Sequence, residues 1–272
     1  MNYVISLIQD IIKKRRLIMD LAKADFKKRF VGSYFGVVWM FVQPIATVAV
    51  YYFVFGVGLR NGNPIEGVPF VLWLVPGIVP WFYFSEAMNA GTNCLSEYSY
   101  LVKKVVFRVE VLPIIKMISC LIVHLIFALI MAGLYLCYGW VPKLIWIQTL
   151  YYTFALTVYT MALVYFTSAI QVFFKDMAQI VNICLQFGMW LTPIMWQEEQ
   201  FAGVSFYPLL RRMIKFNPMY YIVAGYRDSM IMGNFFWQRP GMTLYFWAAT
   251  LCLFLIGLKV FKRLRPHFSD VL

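Results

Sequence analysis

The chain has 272 residues, 62% of them hydrophobic and only 13% charged, whereas an ordinary soluble domain carries about 25% charged residues. That is too little charge to cover a soluble core of this length, so lipid is the expected solvent. A net charge of +12 would suit nucleic acid only if the basic residues shared one soluble face; they fall between apolar stretches instead, and no nucleic-acid partner is expected.

In chain order, the N-terminal apolar run is interrupted by Asp10 and followed by Lys13 to Arg16. It leads to no small-residue cleavage site and reads as a poor secretory signal. Leu17 to Phe30, the core of an element taken as residues 11–30, predicts a helix lying at the membrane surface. Leu17, Ile18, Leu21, Ala22 and Phe26 share one arc, with Lys23 and Lys27 across from it, the pattern of an interfacial amphipathic helix. Asp25 and Arg29 break the arc, but they are four residues apart and positioned to pair, which points to docking on protein. Spacing alone fits equally a solvated basic stretch that only sets topology.

A helix needs about 18 to 20 predominantly apolar residues to cross a bilayer. Six stretches free of Asp, Glu, Lys and Arg qualify: Phe30 to Leu59, Gly67 to Ser85, Met117 to Pro142, Leu144 to Phe174, Met177 to Gln197, and Pro240 to Leu258. The expected fold is therefore an all-α polytopic membrane protein with six spans. Lys13 to Arg16, Lys23 and Lys27 to Arg29 precede the first span, and Lys259, Lys262, Arg263 and Arg265 follow the last, so both termini are predicted on the inside. The loop from Leu95 to Val111 then also lies inside. It mixes Tyr98, Leu101, Val102, Val105, Val106 and Phe107 with Lys103, Lys104 and Arg108. Such a surface suits a soluble partner, although its composition fits a helix end with positive-inside charges equally well. Residues 198–239 fall outside, where Arg211, Arg212, Lys215, Arg227 and Arg239 run against the usual charge bias. The short apolar run Phe216 to Tyr226, broken by Asn217 and Pro218, suggests a re-entrant or interfacial element.

Aromatic residues are 19% of the chain. Most are expected in interface belts; Trp73, Trp81, Phe82 and Tyr83 are candidates to line a pathway, where aromatic faces give a sugar chain apolar contact without halting it. The intramembrane charge that an ion-driven transporter needs is nearly absent: Glu86, Lys116 and His124 are the nearby groups, the first two at predicted span ends. The scattered Cys94, Cys120, Cys137, Cys184 and Cys252 and two histidines indicate neither a metal site nor a disulfide framework. No phosphate-binding loop, nucleophile elbow or zinc-protease motif occurs, so energy for uphill movement must come from another chain.

Leu21 to Gly36 (LAKADFKKRFVGSYFG), with Trp39 and Pro44, resembles the opening signature of permease subunits of ATP-binding-cassette exporters for cell-surface polysaccharides, including teichoic acid and O-antigen exporters. The resemblance extends over almost the whole chain. It continues through Phe173-Phe174-Lys175-Asp176, through Thr192-Pro193-Ile194 with Asn217-Pro218 and Arg227, and through the tail Phe261 to Asp270. It implies a single permease domain over residues 1–272 in a bacterial cell membrane. Such a subunit pairs with a second copy and with two cytoplasmic ATPase subunits, which bind the ATP and magnesium; no cofactor is expected on this chain. The interface helix, with Lys23, Asp25, Lys27, Lys28 and Arg29, would border the substrate entrance. The loop 95–110, with Tyr98, Leu101, Lys103, Lys104, Phe107 and Arg108, would form a coupling helix seated on the ATPase; Arg108 stands where many relatives have proline. Short re-entrant helices would precede the sixth span. The implied cargo is a glycan or polyol-phosphate polymer on a polyprenyl pyrophosphate lipid, whose phosphates, like those of membrane lipids, would be drawn to the basic residues. The segment from Val54-Phe55-Gly56 to Gly67-Val68-Pro69-Phe70 is closest to the teichoic acid branch. A drug or small-lipid permease of the same architecture and a membrane-embedded transferase are the alternatives; the second needs a convergent catalytic constellation that the sequence does not display.

Overall fold

The computed structural model describes residues 9, 12–29, 31–32, 34–58, 65–103 and 108–272. Phe30, Lys104, Val105, Val106 and Phe107 lie outside the described residues. Among the described residues the chain is helical with no named strand, as its apolar runs require where backbone groups must be satisfied within each segment.

The surface helix forms as α1, Arg15–Lys28. Among the described residues, five helices are long and apolar enough to cross a membrane: α2 Gly36–Gly58, α3 Phe70–Glu97, α5 Val111–Cys137, α6 Leu144–Gln171, and Pro240–Val271, whose regular part is α10, Pro240–Leu264. Between them lie α4 (Ser99–Val102), α7 (Met177–Leu191), α8 (Tyr207–Phe216) and α9 (Pro218–Arg227). The turn α11, Phe268–Val271, closes the chain.

The fifth expected span is the exception to the sequence reading. Its helix has 15 residues, about 22 Å at 1.5 Å per residue, which falls short of a hydrocarbon core of about 30 Å. It stops at Thr192, which is extended before Pro193, the conformation a following proline imposes. Two expected span ends also move. The helix holding Glu86 runs on to Glu97, and the one holding Lys116 begins at Val111.

The helices share two apolar cores. The larger surrounds α3, whose most apolar window is 78% buried, and collects side chains from α5, α6, α7, α9 and α10. The second sits at the Glu97 end of α3 and joins Ile18 and Ala22 of α1, Leu95, Tyr98, Val102 and Leu112 with Tyr165, Phe261 and Phe268. There Phe268 packs on Phe261 and Phe173, and Arg265 pairs with fully buried Glu110 at 2.5 Å. At the other extreme, only 6% of the α2 window is buried, which leaves Trp39, Val42, Ile45 and Phe53 exposed.

Backbone meets backbone where α6 and α10 cross: a Cβ on Gly257 would stand 2.6 Å from the Ala162 carbonyl oxygen. A backbone atom cannot swing aside, so Gly257→Val is expected to lower stability by about 1–3 kcal/mol. A thermal unfolding scan of the detergent-solubilised protein checks this, and a variant as stable as the parent would show that α6 and α10 do not approach so closely.

Candidate functional site

The polar chemistry of α1 is concentrated on one face. Ile18, Ala22 and Asp25 are buried, and this row packs against α5. Asp25, 3% exposed, accepts from Lys116 Nζ at 2.7 Å and from the Tyr98 hydroxyl at 2.6 Å. Lys116 also reaches Glu97 at 2.6 Å and lies over the Tyr98 ring. The expected Asp25–Arg29 pair forms at 3.6 Å. Arg29 turns onward to pair with Glu86 and to donate to Cys120 Sγ at 3.0 Å.

Two charges out of water cost several kcal/mol each unless geometry and hydrogen bonds compensate. Here one ammonium bridges two carboxylates, and the buried carboxylate has a second donor. Burial pushes the Asp25 carboxyl up, but the bonds from Lys116 and Tyr98 outweigh it and hold the group below its ordinary value.

Arg29 borders a cavity of about 570 Å³ between α2, α3 and α5. Its walls combine Trp39, Met40, Phe82 and Phe127 with Gln43, Ser85, Glu86, Asn89, Tyr83 and His124. His124 belongs to a buried polar set: its Nε2 lies 2.8 Å from the Tyr226 hydroxyl and 3.3 Å from Thr153 Oγ1, with its ring against Tyr83. This chemistry suits an amphiphile, since charged and hydrogen-bonding groups share the lining with apolar and aromatic ones.

The aromatic candidates divide. Phe82 and Tyr83 line the cavity. Trp81, 4% exposed, instead packs against Phe84, with its ring 3.1 Å from where a Cβ on Gly188 of α7 would stand. Trp73 sits at the far end of α3 under the Arg227 guanidinium, 3.6 Å from the ring centre. Arg227 donates to the Pro193 and Ile194 carbonyls at 2.7 Å each and to the Trp73 carbonyl at 3.3 Å. Gly77 leaves the space, since a Cβ there would meet Arg227 Nη2 at 2.8 Å. Trp73 and Arg227 also border a second hollow of about 420 Å³ with Glu198, Asp228 and Arg239.

In the loop after α3, Tyr98 faces inward to Asp25, Val102 is buried, and Leu101 is partly covered, while Tyr100 and Lys103 are exposed. Lys104 and Phe107 lie outside the described residues. Arg108 is partly exposed. Lys23, Lys27 and Lys28 point away from the Asp25 cluster, on the outward arc of α1. The sequence reading did not assign Lys116 or Glu97 to the site. Lys116 and Asp25 are 91 positions apart, and the only available signal was that an intramembrane lysine must find a carboxylate.

The chain matches the family described as ABC-2 type transporter over residues 16–231. It is 27% identical over 269 residues to an O-antigen export system permease protein RfbA of Myxococcus xanthus, covering 98% of this chain and 99% of that protein. Two RfbA proteins of Klebsiella pneumoniae with the same description are 23% and 24% identical, each over 94% of this chain and 95% of the relative.

The Asp25 cluster is expected to dominate acid sensitivity. A carboxylate whose folded value is depressed adds stability in full above its unfolded value of about 3.9 and loses it as pH falls through the lower folded value. Lys116→Ala, which strands Asp25, should cost about 3–5 kcal/mol at neutral pH, and Asp25→Asn with Lys116→Met should recover most of it. Melting scans between neutral and acidic pH test this; parent and double variant losing stability in parallel on acidification would remove Asp25 as the cause.

Proposed function

Because the chain belongs to the ABC-2 type transporter membrane family, we propose that it is the membrane subunit of an ATP-driven exporter that carries a lipid-linked polysaccharide from the inner to the outer side of a bacterial cell membrane. The observation that carries this reading is near full-length similarity to three O-antigen export permeases. The absence of any nucleotide-binding motif in the sequence agrees with a power stroke supplied by separate ATPase subunits, which would hold ATP and magnesium. The names of the relatives favour an O-antigen-like glycan over teichoic acid, the polymer suggested by the segment from Val54 to Phe70.

In this reading the poorly covered α2, with the exposed Ile183, Phe187 and Trp190 of α7, meets a second copy of the chain. Six crossings result if α7 and the turn after it together traverse the bilayer, which places both termini inside and lets the segment 198–239 re-enter at the outer face through α9. Lys23, Lys27, Lys28 and Arg29 attract the phosphates of the carrier lipid, each nearby cation contributing about 1 kcal/mol, and the cavity behind Arg29 receives the adjoining sugars and prenyl chain along Phe82 and Tyr83. Tyr100, Leu101, Lys103 and Lys104 meet the ATPase. Tyr98, bonded to Asp25, holds that loop on the membrane domain, and Arg108 stands beside it.

Two measurements test the scheme. With the chain co-purified with its ATPase, Lys103→Glu plus Lys104→Glu should lower transport-coupled hydrolysis at least about tenfold, equivalent to about 1.4 kcal/mol of contact energy; unchanged complex formation and hydrolysis would remove the coupling assignment. In cells, Phe82→Ala should reduce polymer export while Trp81→Phe leaves it intact, and the reverse pattern would place the pathway on the other face of α3.

A further inference from the structure

The five cations in residues 198–239 oppose the expected charge bias of an outer segment, and three of them are internally satisfied. Arg227 is held by carbonyls, Arg239 pairs with Asp228 at 3.0 Å, and Arg211 reaches Glu198 at 3.5 Å. Arg212 and Lys215 are exposed and have no ion pair among the described residues. Both lie on α8, a helix of 10 residues with no acidic residue.

At 100° per residue α8 presents three strips. Leu210 and Ile214 turn inward, and Ile214 is 3% exposed. Arg211, Arg212 and Lys215 form the cationic strip. Leu209, Met213 and Phe216, continued by Phe206 before the helix, form a second apolar strip at spacings of three and four, and all four are more than half exposed.

We propose that α8 is an interfacial anchor that rests on the leaflet at the Phe70 end of the bundle, sinking Phe206, Leu209, Met213 and Phe216 among acyl chains while Arg212 and Lys215 engage anionic phospholipid headgroups. The charge pattern selects this occupant. A second copy meeting α8 across a two-fold axis would bring the same cationic strip against itself, whereas phosphates complement it, and long basic side chains beside an apolar strip can snorkel to the headgroup level. The anchor holds α8 flat, so that the break at Asn217, whose side chain caps Met219, sets the angle at which α9 enters the bundle.

The test uses the full chain in vesicles, with exposed Cys137, Cys184 and Cys252 replaced by Ser and an environment-sensitive fluorophore on Met213→Cys. In phosphatidylglycerol vesicles the label should be quenched by a lipid nitroxide and shielded from aqueous iodide. Removing each of Arg212 and Lys215 should lower the docked-to-undocked ratio roughly fivefold; phosphatidylcholine vesicles or high salt should lower it likewise. Equal iodide access in both lipids, with no response to Arg212→Glu and Lys215→Glu, would overturn the proposal. Self-quenching between labels on two copies that disappears on dilution with unlabelled chain would also overturn it and assign the strip to a second copy.

Discussion

A lysine buried near the end of an apolar helix cannot stand alone, and Lys116 organises what surrounds it. Its charge demands acceptors, which come from two places: Asp25 on α1 at 2.7 Å and Glu97 at the end of α3 at 2.6 Å. Removing one partner of such a cluster leaves an uncompensated buried charge at a cost of about 3–5 kcal/mol, more than the burial of a typical apolar side chain supplies. The arrangement therefore specifies how α1 sits on α5, because another register would leave one of these charges buried without its partner. Tyr98, bonded to the same carboxylate, ties the start of the loop after α3 to it. With Asp25 bonded to Lys116 and Tyr98, Arg29 keeps only its 3.6 Å pairing with Asp25 and reaches on to Glu86 at the cavity wall.

How far the sequence disclosed this follows from what charge and periodicity measure. Charge-free length located the apolar helices, because no isolated charge is tolerated in lipid. It misplaced the ends of α3 and α5 because Glu86 and Lys116 are not isolated: Lys116 is neutralised by Asp25 of α1 and Glu86 by Arg29 just after it, and a helix continues through a paired charge as readily as through leucine. The short α7 was concealed for a related reason, since Thr192 and Pro193 are uncharged and passed the length test even though proline closes the helix. The four-residue spacing exposed the Asp25–Arg29 pair. No local pattern exposes a contact across 91 positions.

The aromatic candidates failed to separate for a geometric reason. Consecutive helical residues point 100° apart, so Trp81 and Phe82 face different neighbours, one the bare backbone of Gly188 and the other open space. An amphipathic helix declares its rotation through its polar face. The central helix α3 is apolar nearly all round and buried on most sides, so its sequence contains the aromatic rings and no indication of which way each one turns. Arg227 was legible only as part of a motif; its engagement with three carbonyls and a tryptophan face depends on Gly77 being without a side chain.

The same helix joins the two chemically distinct ends. Over 28 residues, about 42 Å at helical rise, α3 carries the Trp73–Arg227 stack at one end and Glu97 at the other, with the cavity wall between. Pro76 and Pro80 interrupt its backbone bonds, yet among the five long apolar helices it has the most buried window, with neighbours packed on several sides. A displacement of the loop at Tyr98 is therefore resisted at three places: by the Asp25 cluster, by the second core beneath Phe268, and by the packing of α3 itself.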